Sequence, residues 1–150
     1  MITQLLPDQI ATLWDYVRYA FEESIPPSVD RRIYDSNQLL SSLLSGKAQC
    51  WIAYEKRANE RVFEGVVITE IIRDDVMGIR NLLIYSLYGT DVSHKTWRHG
   101  LVALAKWGAK NRCRAIVGYT DNKLIIDKVL QFGGNVSSFV SIPITEDDES

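Results

Sequence analysis

"LVALAKWGAKNRCRAIVGYTDNKLIIDKVLQFGGNV", residues 101–136, decides the fold. Leu101, Leu104 and Gly108 continue an apolar face begun by Trp97 and recur at helical spacing, with Lys95, His99, Lys106 and Lys110 on the other sides. "RAIVGY" (114–119) is short and apolar, which predicts a compact buried strand. Asp121 or Asn122 opens the next helix, "DNKLIIDKVLQFG", and Gly133 closes it. "NVSSFVSIPI" (135–144) reads as a last, bent strand.

Upstream lie three further strand-like runs: "AQCWIAYE" (48–55), "RVFEGVVITEII" (61–72) and "GIRNLLIYSLYG" (78–89). The polar stretches "KRANER" and "RDDVM" turn the chain between them, the first as a hairpin. Before these, a helix carrying Leu39, Leu40, Leu43 and Leu44 ends at Gly46. The first helix opens at Pro7–Asp8 with Asp8 as its N-cap, and Ile10, Leu13, Trp14, Val17, Ala20 and Phe21 form its apolar face. Tyr16 and Tyr19 lean off that face, either as an interface or as a cover for the "SIPPS" loop that stops the helix. "ITQLL" (2–6) supplies a short first strand. A strand–helix–strand unit after a meander implies an α/β (α+β) protein with a mixed, mostly antiparallel central sheet and helices on both faces.

The composition suits one domain over residues 1–145 and a short acidic tail over 146–150. Of 150 residues, 46% are hydrophobic and 24% charged, ordinary for a globular chain with a real core. The net charge is −2, and Glu146, Asp147, Asp148 and Glu149 carry four negative charges, so residues 1–145 stand at +2. That balance gives no basic footprint for nucleic acid. No apolar run is long enough for a membrane span and no signal pattern opens the chain, so the expected location is the cytoplasm. Cys50 and Cys113 lie far apart in apolar stretches and read as buried free thiols.

"SHKTWRHGL" (93–101) stands at the start of a helix that follows a strand, a natural seat for phosphate. Loops that wrap phosphate tightly are usually glycine-rich, whereas this one offers Lys95, Thr96, Trp97 and Arg98. Lys95 and Arg98 either supply charge to a phosphate or are solvated first-turn residues. Trp97 packs beneath the helix. His94 and His99 are five apart and diverge, so no metal site is expected. Glu70, a carboxylate within the apolar "VITEI", is the candidate catalytic base, with a solvent-facing residue as the alternative. Tyr85 and Tyr88 either line a pocket or simply pack.

The order of elements resembles the GNAT (N-acetyltransferase) superfamily over nearly the whole chain, best in residues 101–136. "AQCWIAYE", "VVITEI" and "LAKWGAKNRCRAI" are similar to small GNAT-like proteins of tailed bacteriophages. The resemblance implies acetyl-CoA as cofactor, held by a Q/RxxGxG/A loop at a helix N-terminus. Aligned here, that motif's two small positions fall on Lys95 and Trp97, and its Arg or Gln near Asp91 or Val92. The family's "N…Y…GF" pattern appears as Asn122, Val129 and Gly133–Gly134, so the tyrosine that often protonates the departing thiolate is a valine. Asn122 then caps its helix or touches the cofactor. Lys95, Thr96, Trp97, Arg98 and Asn122 are thus the implied cofactor-binding residues, and Glu70 the catalytic one.

Three functions follow from the resemblance. The first is a catalytically silent GNAT-fold protein of a phage particle or its assembly, working through other protein subunits in the host cytoplasm or virion. The second is an acetyl-CoA-dependent N-acetyltransferase with a divergent loop. The third is a protein that binds CoA or another nucleotide without chemistry.

Overall fold

In the computed structural model the described residues are 1–89 and 92–145. The acidic tail 146–150 and Asp91, one of the two positions aligned with the motif's Arg or Gln, lie outside them. Five strands form one sheet in the order β1-β2-β3-β4-β5: Ile2–Gln4, Gln49–Arg57, Glu60–Asp74, Ile79–Gly89 and Ile116–Gly118. The first four pair antiparallel, and β5 joins β4 in parallel. The helices are α1 (Pro7–Thr12), α2 (Trp14–Glu22), α3 (Ser36–Leu44), α4 (His94–Lys110) and α5 (Lys123–Gln131). This is the expected mixed, mostly antiparallel sheet.

Each face of the sheet has its own core. Cys50, Ile52, Tyr54, Val66 and Ile68 point to one side and pack with Ile10, Val17, Ala20, Phe21 and Leu43 from α1, α2 and α3. The alternate residues Trp51, Val67 and Leu82 meet Leu104 of α4 on the other. Trp51 and Trp107 stand edge to face there, centroids 5.5 Å apart. Leu104 and Gly108 are buried, whereas Trp97 and Leu101 are only half-buried at the open end of the helix.

Local signals set most helix ends. Ser93 caps α4, Asn122 caps α5 and Asp35 caps α3, each side chain accepting a first-turn amide. Gly46 and Gly133 take φ of +82° and +84° just beyond α3 and α5, a conformation that favours glycine.

Four expectations need correction. The first helix is two, broken at Leu13, and its N-cap is Leu6 rather than Asp8, because Pro7 takes the N1 position where no amide is needed. The Gln9 side chain accepts the Leu6 amide at 2.8 Å. β5 is three residues long and half-buried to exposed, not a compact buried strand, because it is the last strand of the sheet and pairs on one side only. Residues 135–144 form no strand: the segment has no ladder partner among the described residues and is exposed throughout. Cys50 is buried but Cys113 only half so; both are free thiols. Among the described residues, no helix is long and apolar enough to cross a membrane.

Candidate functional site

The sheet is interrupted where β4 meets β5. Their parallel register runs Leu82↔Ile116, Leu83↔Val117 and Ile84↔Gly118, and there it ends. At the same point β4 carries a bulge. Ser86 pairs with Ile68 and Ile84 with Thr69, which leaves Tyr85 as an extra residue. β4 continues to Gly89 against β3 alone, so its other edge is open from Tyr85 onward among the described residues.

α4 begins beyond that open edge. Its cap takes one of the first-turn amides that a phosphate could use. The Thr96 amide donates to Ser93 Oγ at 3.2 Å, and the Trp97 amide to the Ser93 carbonyl at 3.0 Å. Ser93 Oγ donates in turn to Thr96 Oγ1 at 3.1 Å.

A cavity of about 400 Å³ lies along α4, lined by His94, Lys95, Arg98, His99 and Val102. At about 100° per residue these span one broad arc, opposite the arc that Leu104 and Gly108 press on the sheet. Lys95 and Arg98 are therefore brought together, exposed, on the outer side of the helix. His94 and His99 stand at the two borders of this arc, about 140° apart around the helix axis. Among the described residues, no group of three metal-ligating side chains forms. His94 Nδ1 lies 3.1 Å from Lys128 Nζ, and its ring stacks on Phe132 at 5.4 Å, which ties α5 to the start of α4.

The other candidates lie apart from this cavity. Thr96 belongs to the cap and Trp97 to the inner arc. Asn122 Oδ1 accepts the Leu124 amide at 2.9 Å, so its side chain caps α5. Val129, at the aligned tyrosine position, is exposed on α5. Glu70 sits on β3 opposite Leu83, and alternation from Ile68 turns it toward the α1–α3 face of the sheet. Tyr85 shares that face, and burial, then the Glu70 charge, raises its hydroxyl above the ordinary tyrosine value.

A group of aromatic side chains on this face was not legible from spacing. Tyr16 stacks on Phe63 (5.6 Å), Tyr19 meets Tyr88 edge-on (5.9 Å), and Phe21 lies flat against Tyr85 (5.9 Å) and beside Tyr34 (5.5 Å). Tyr34 donates to Glu22 Oε2 at 2.9 Å; burial, then that partner, pushes its hydroxyl up to about 12. Tyr16 and Tyr19 do lean off the deepest core, but onto β3 and β4 rather than the loop after the helix. The one signal in the sequence was the recurrence of tyrosines beside the apolar face of α2.

No family model matches this sequence, and no curated protein matches it. Solved structures match over nearly the full length of both chains. A ribosomal-protein-alanine N-acetyltransferase from Brucella melitensis biovar Abortus 2308 is 15% identical, with a TM-score of 0.60, over 97% of this chain and 98% of that one. An aminoglycoside acetyltransferase from an uncultured soil metagenomic sample, in complex with trehalose, is 13% identical at a TM-score of 0.69, covering 98% and 96%. AAC(6')-Iy, in complex with the bisubstrate analog CoA-S-monomethyl-acetylneamine, is 14% identical at 0.67, covering 97% of each chain. At such identities the likeness establishes architecture. The chain has the fold of the GNAT acetyltransferases.

Proposed function

We propose that this GNAT-fold protein is catalytically silent and acts through contact with other protein subunits, in a phage particle or its assembly. The observation that carries the reading is the capped start of α4. The Ser93 side chain occupies the Thr96 amide, so a pyrophosphate finds that first-turn donor already satisfied. Lys95 and Trp97 stand at the small positions of the aligned motif, and Val129 has no proton to give a thiolate. Lys95 and Arg98 face outward along α4 and do not replace the missing amides. As arranged, these residues do not fit acetyl-CoA in the manner of a Q/RxxGxG/A loop. The setting rests on the phage-like stretches "AQCWIAYE", "VVITEI" and "LAKWGAKNRCRAI".

A second reading, an N-acetyltransferase with a divergent loop, draws on the open edge of β4 past Tyr85. That edge leaves room for an extended ligand beside β4, with Lys95, Thr96, Trp97 and Arg98 as cofactor contacts and Glu70 as base.

Calorimetry with acetyl-CoA separates the two. The expected result is no measurable binding below millimolar ligand. A dissociation constant in the low micromolar range, near −8 kcal/mol, overturns the silent reading. In that case Lys95→Ala with Arg98→Ala weakens binding, and Glu70→Gln abolishes acetyl transfer to amines.

A further inference from the structure

Arg73 of β3 and Arg80 of β4 stand directly opposite each other in the antiparallel ladder. Ile71 and Leu82, the facing pair next along on the same side, pack in the α4 core. Alternation therefore turns both arginines to the α4 face, just past the point where Gly108 meets Leu82. Like charges set opposite each other in a sheet repel. Neither guanidinium is ion-paired among the described residues. Arg114 brings a third arginine to this end of the sheet, its amide donating to the Arg80 carbonyl at 2.8 Å.

Arg80 is half-buried, and its Nε–H is shut away from solvent with no acceptor. A buried donor left unpaired is destabilising, the more so on a cation. The nearby acceptors are engaged elsewhere. At the end of α4 the Trp107, Gly108 and Ala109 carbonyls accept from Asn111, Arg112 and Cys113. Asp74 Oδ1 accepts the Val76 and Met77 amides of the turn at 3.0 and 3.2 Å. A cavity of about 270 Å³ opens here, lined by Arg73, Asp74, Asp75, Gly78, Ile79 and Arg80.

We propose that this cavity binds a small phosphate monoester, its phosphoryl group held between the Arg73 and Arg80 guanidiniums with Arg80 Nε–H donating to one oxygen. The planar guanidinium fork suits phosphate oxygens, and two of them match the two negative charges of a monoester. Asp74 and Asp75 on the same rim repel a second phosphoryl group, which sets the site against polyanions such as nucleic acid. The volume falls below the roughly 300–1,000 Å³ of pockets for larger ligands, so the group attached to the phosphate is small. β4 runs about 30 Å from Arg80 to Gly89. The site thus stands apart from Lys95 and Arg98 at the start of α4 and does not rest on the reading of that loop.

The test is a titration of the ¹⁵N-labelled full chain with glycerol 3-phosphate, and separately with inorganic phosphate, near pH 7 at constant ionic strength in chloride. The Arg80 Nε–H resonance is the readout, because a purely structural arginine has no reason to follow the ligand. It is expected to move saturably with the monoester and not with chloride. Arg73 is exposed, so Arg73→Gln keeps the far-UV spectrum and urea midpoint. That variant is expected to weaken the monoester at least about tenfold, the loss of one charge-assisted hydrogen bond. An Arg80 signal that stays still, or that chloride moves equally, overturns the proposal. So does a dissociation constant that Arg73→Gln leaves unchanged, and so does saturation by inorganic phosphate alone.

Discussion

Thr69 joins Trp51 to Gln49 inside the sheet, accepting the indole N–H at 3.0 Å and donating its hydroxyl to Gln49 Oε1 at 2.9 Å. Gln49 Nε2 extends the chain of bonds to the Gly46 carbonyl at 3.2 Å, where α3 has just ended. All three side chains are buried, so each polar atom depends on the next. Thr69→Val keeps the shape and removes both roles, leaving a buried indole N–H and a buried amide oxygen unpaired. The expected loss is about 1–3 kcal/mol in urea unfolding. A loss under about 0.5 kcal/mol would mean that the network contributes nothing net.

The rotation of α4 is tested by two truncations on opposite arcs. Leu104 is buried against Trp51, Val67 and Leu82, and Leu104→Ala should cost roughly 2–5 kcal/mol. Lys95 lines the outer cavity and is exposed, so Lys95→Ala should stay within about 0.5 kcal/mol of wild type. The reverse ranking in denaturant melts would place the helix the other way round.

Two glycines in regular structure should respond oppositely to alanine. A Cβ on Gly65 would run into the Tyr88 carbonyl oxygen, where β3 and β4 approach closely, and backbone cannot swing aside. Gly65→Ala should therefore destabilise by about 1–3 kcal/mol. In α4, a Cβ on Gly100 meets only Ile2 Cδ1 at 3.8 Å, an ordinary contact. Gly100→Ala should instead stabilise by about 0.5–1 kcal/mol, since the helix interior gains alanine's propensity. Thermal melts of the two variants should move in opposite directions.

What the sequence disclosed is what a few neighbouring residues decide. Ser93, Asn122, Gly46 and Gly133 mark helix ends because caps and positive φ are local demands. The alternation through "QCWIA" and "VVITE" was legible because both faces of those strands are covered. Residues 135–144 have the alternation of a strand, but a strand exists only with an edge to join, and the chain's own β5 offers three residues. The break at Leu13 is not reported by periodicity, because the apolar positions run through it from Ile10 to Phe21. The candidate site divides in the same way. Spacing placed Lys95 near Arg98, one turn apart. The pairing of Tyr16 with Phe63 and of Tyr19 with Tyr88 needed α2 to cross β3 and β4, a non-local event.

The pH dependence of stability in alkali should be carried first by Cys50. Its thiol is buried under α2 and α3, and desolvation pushes it up to about 12 from an ordinary value near 9. Between those values the unfolded chain ionises the thiol and the folded chain does not. The folded state then binds more protons, so stability is full below about pH 9 and falls as pH rises, by at most about 1.4 kcal/mol per unit from this group. Tyr34, raised from 10 to about 12 by burial and by its bond to Glu22, adds a second decline of the same sign above pH 10. Urea midpoints measured from pH 8 to 10.5 should decline in wild type from about pH 9. Cys50→Ala should start lower, for its lost packing, and stay level until Tyr34 and Tyr85 begin to ionise in the unfolded chain, near pH 10. At pH 8 the native thiol should resist alkylation while Cys113 reacts. A Cys50→Ala curve parallel to wild type through pH 9–10 would assign the loss to another group.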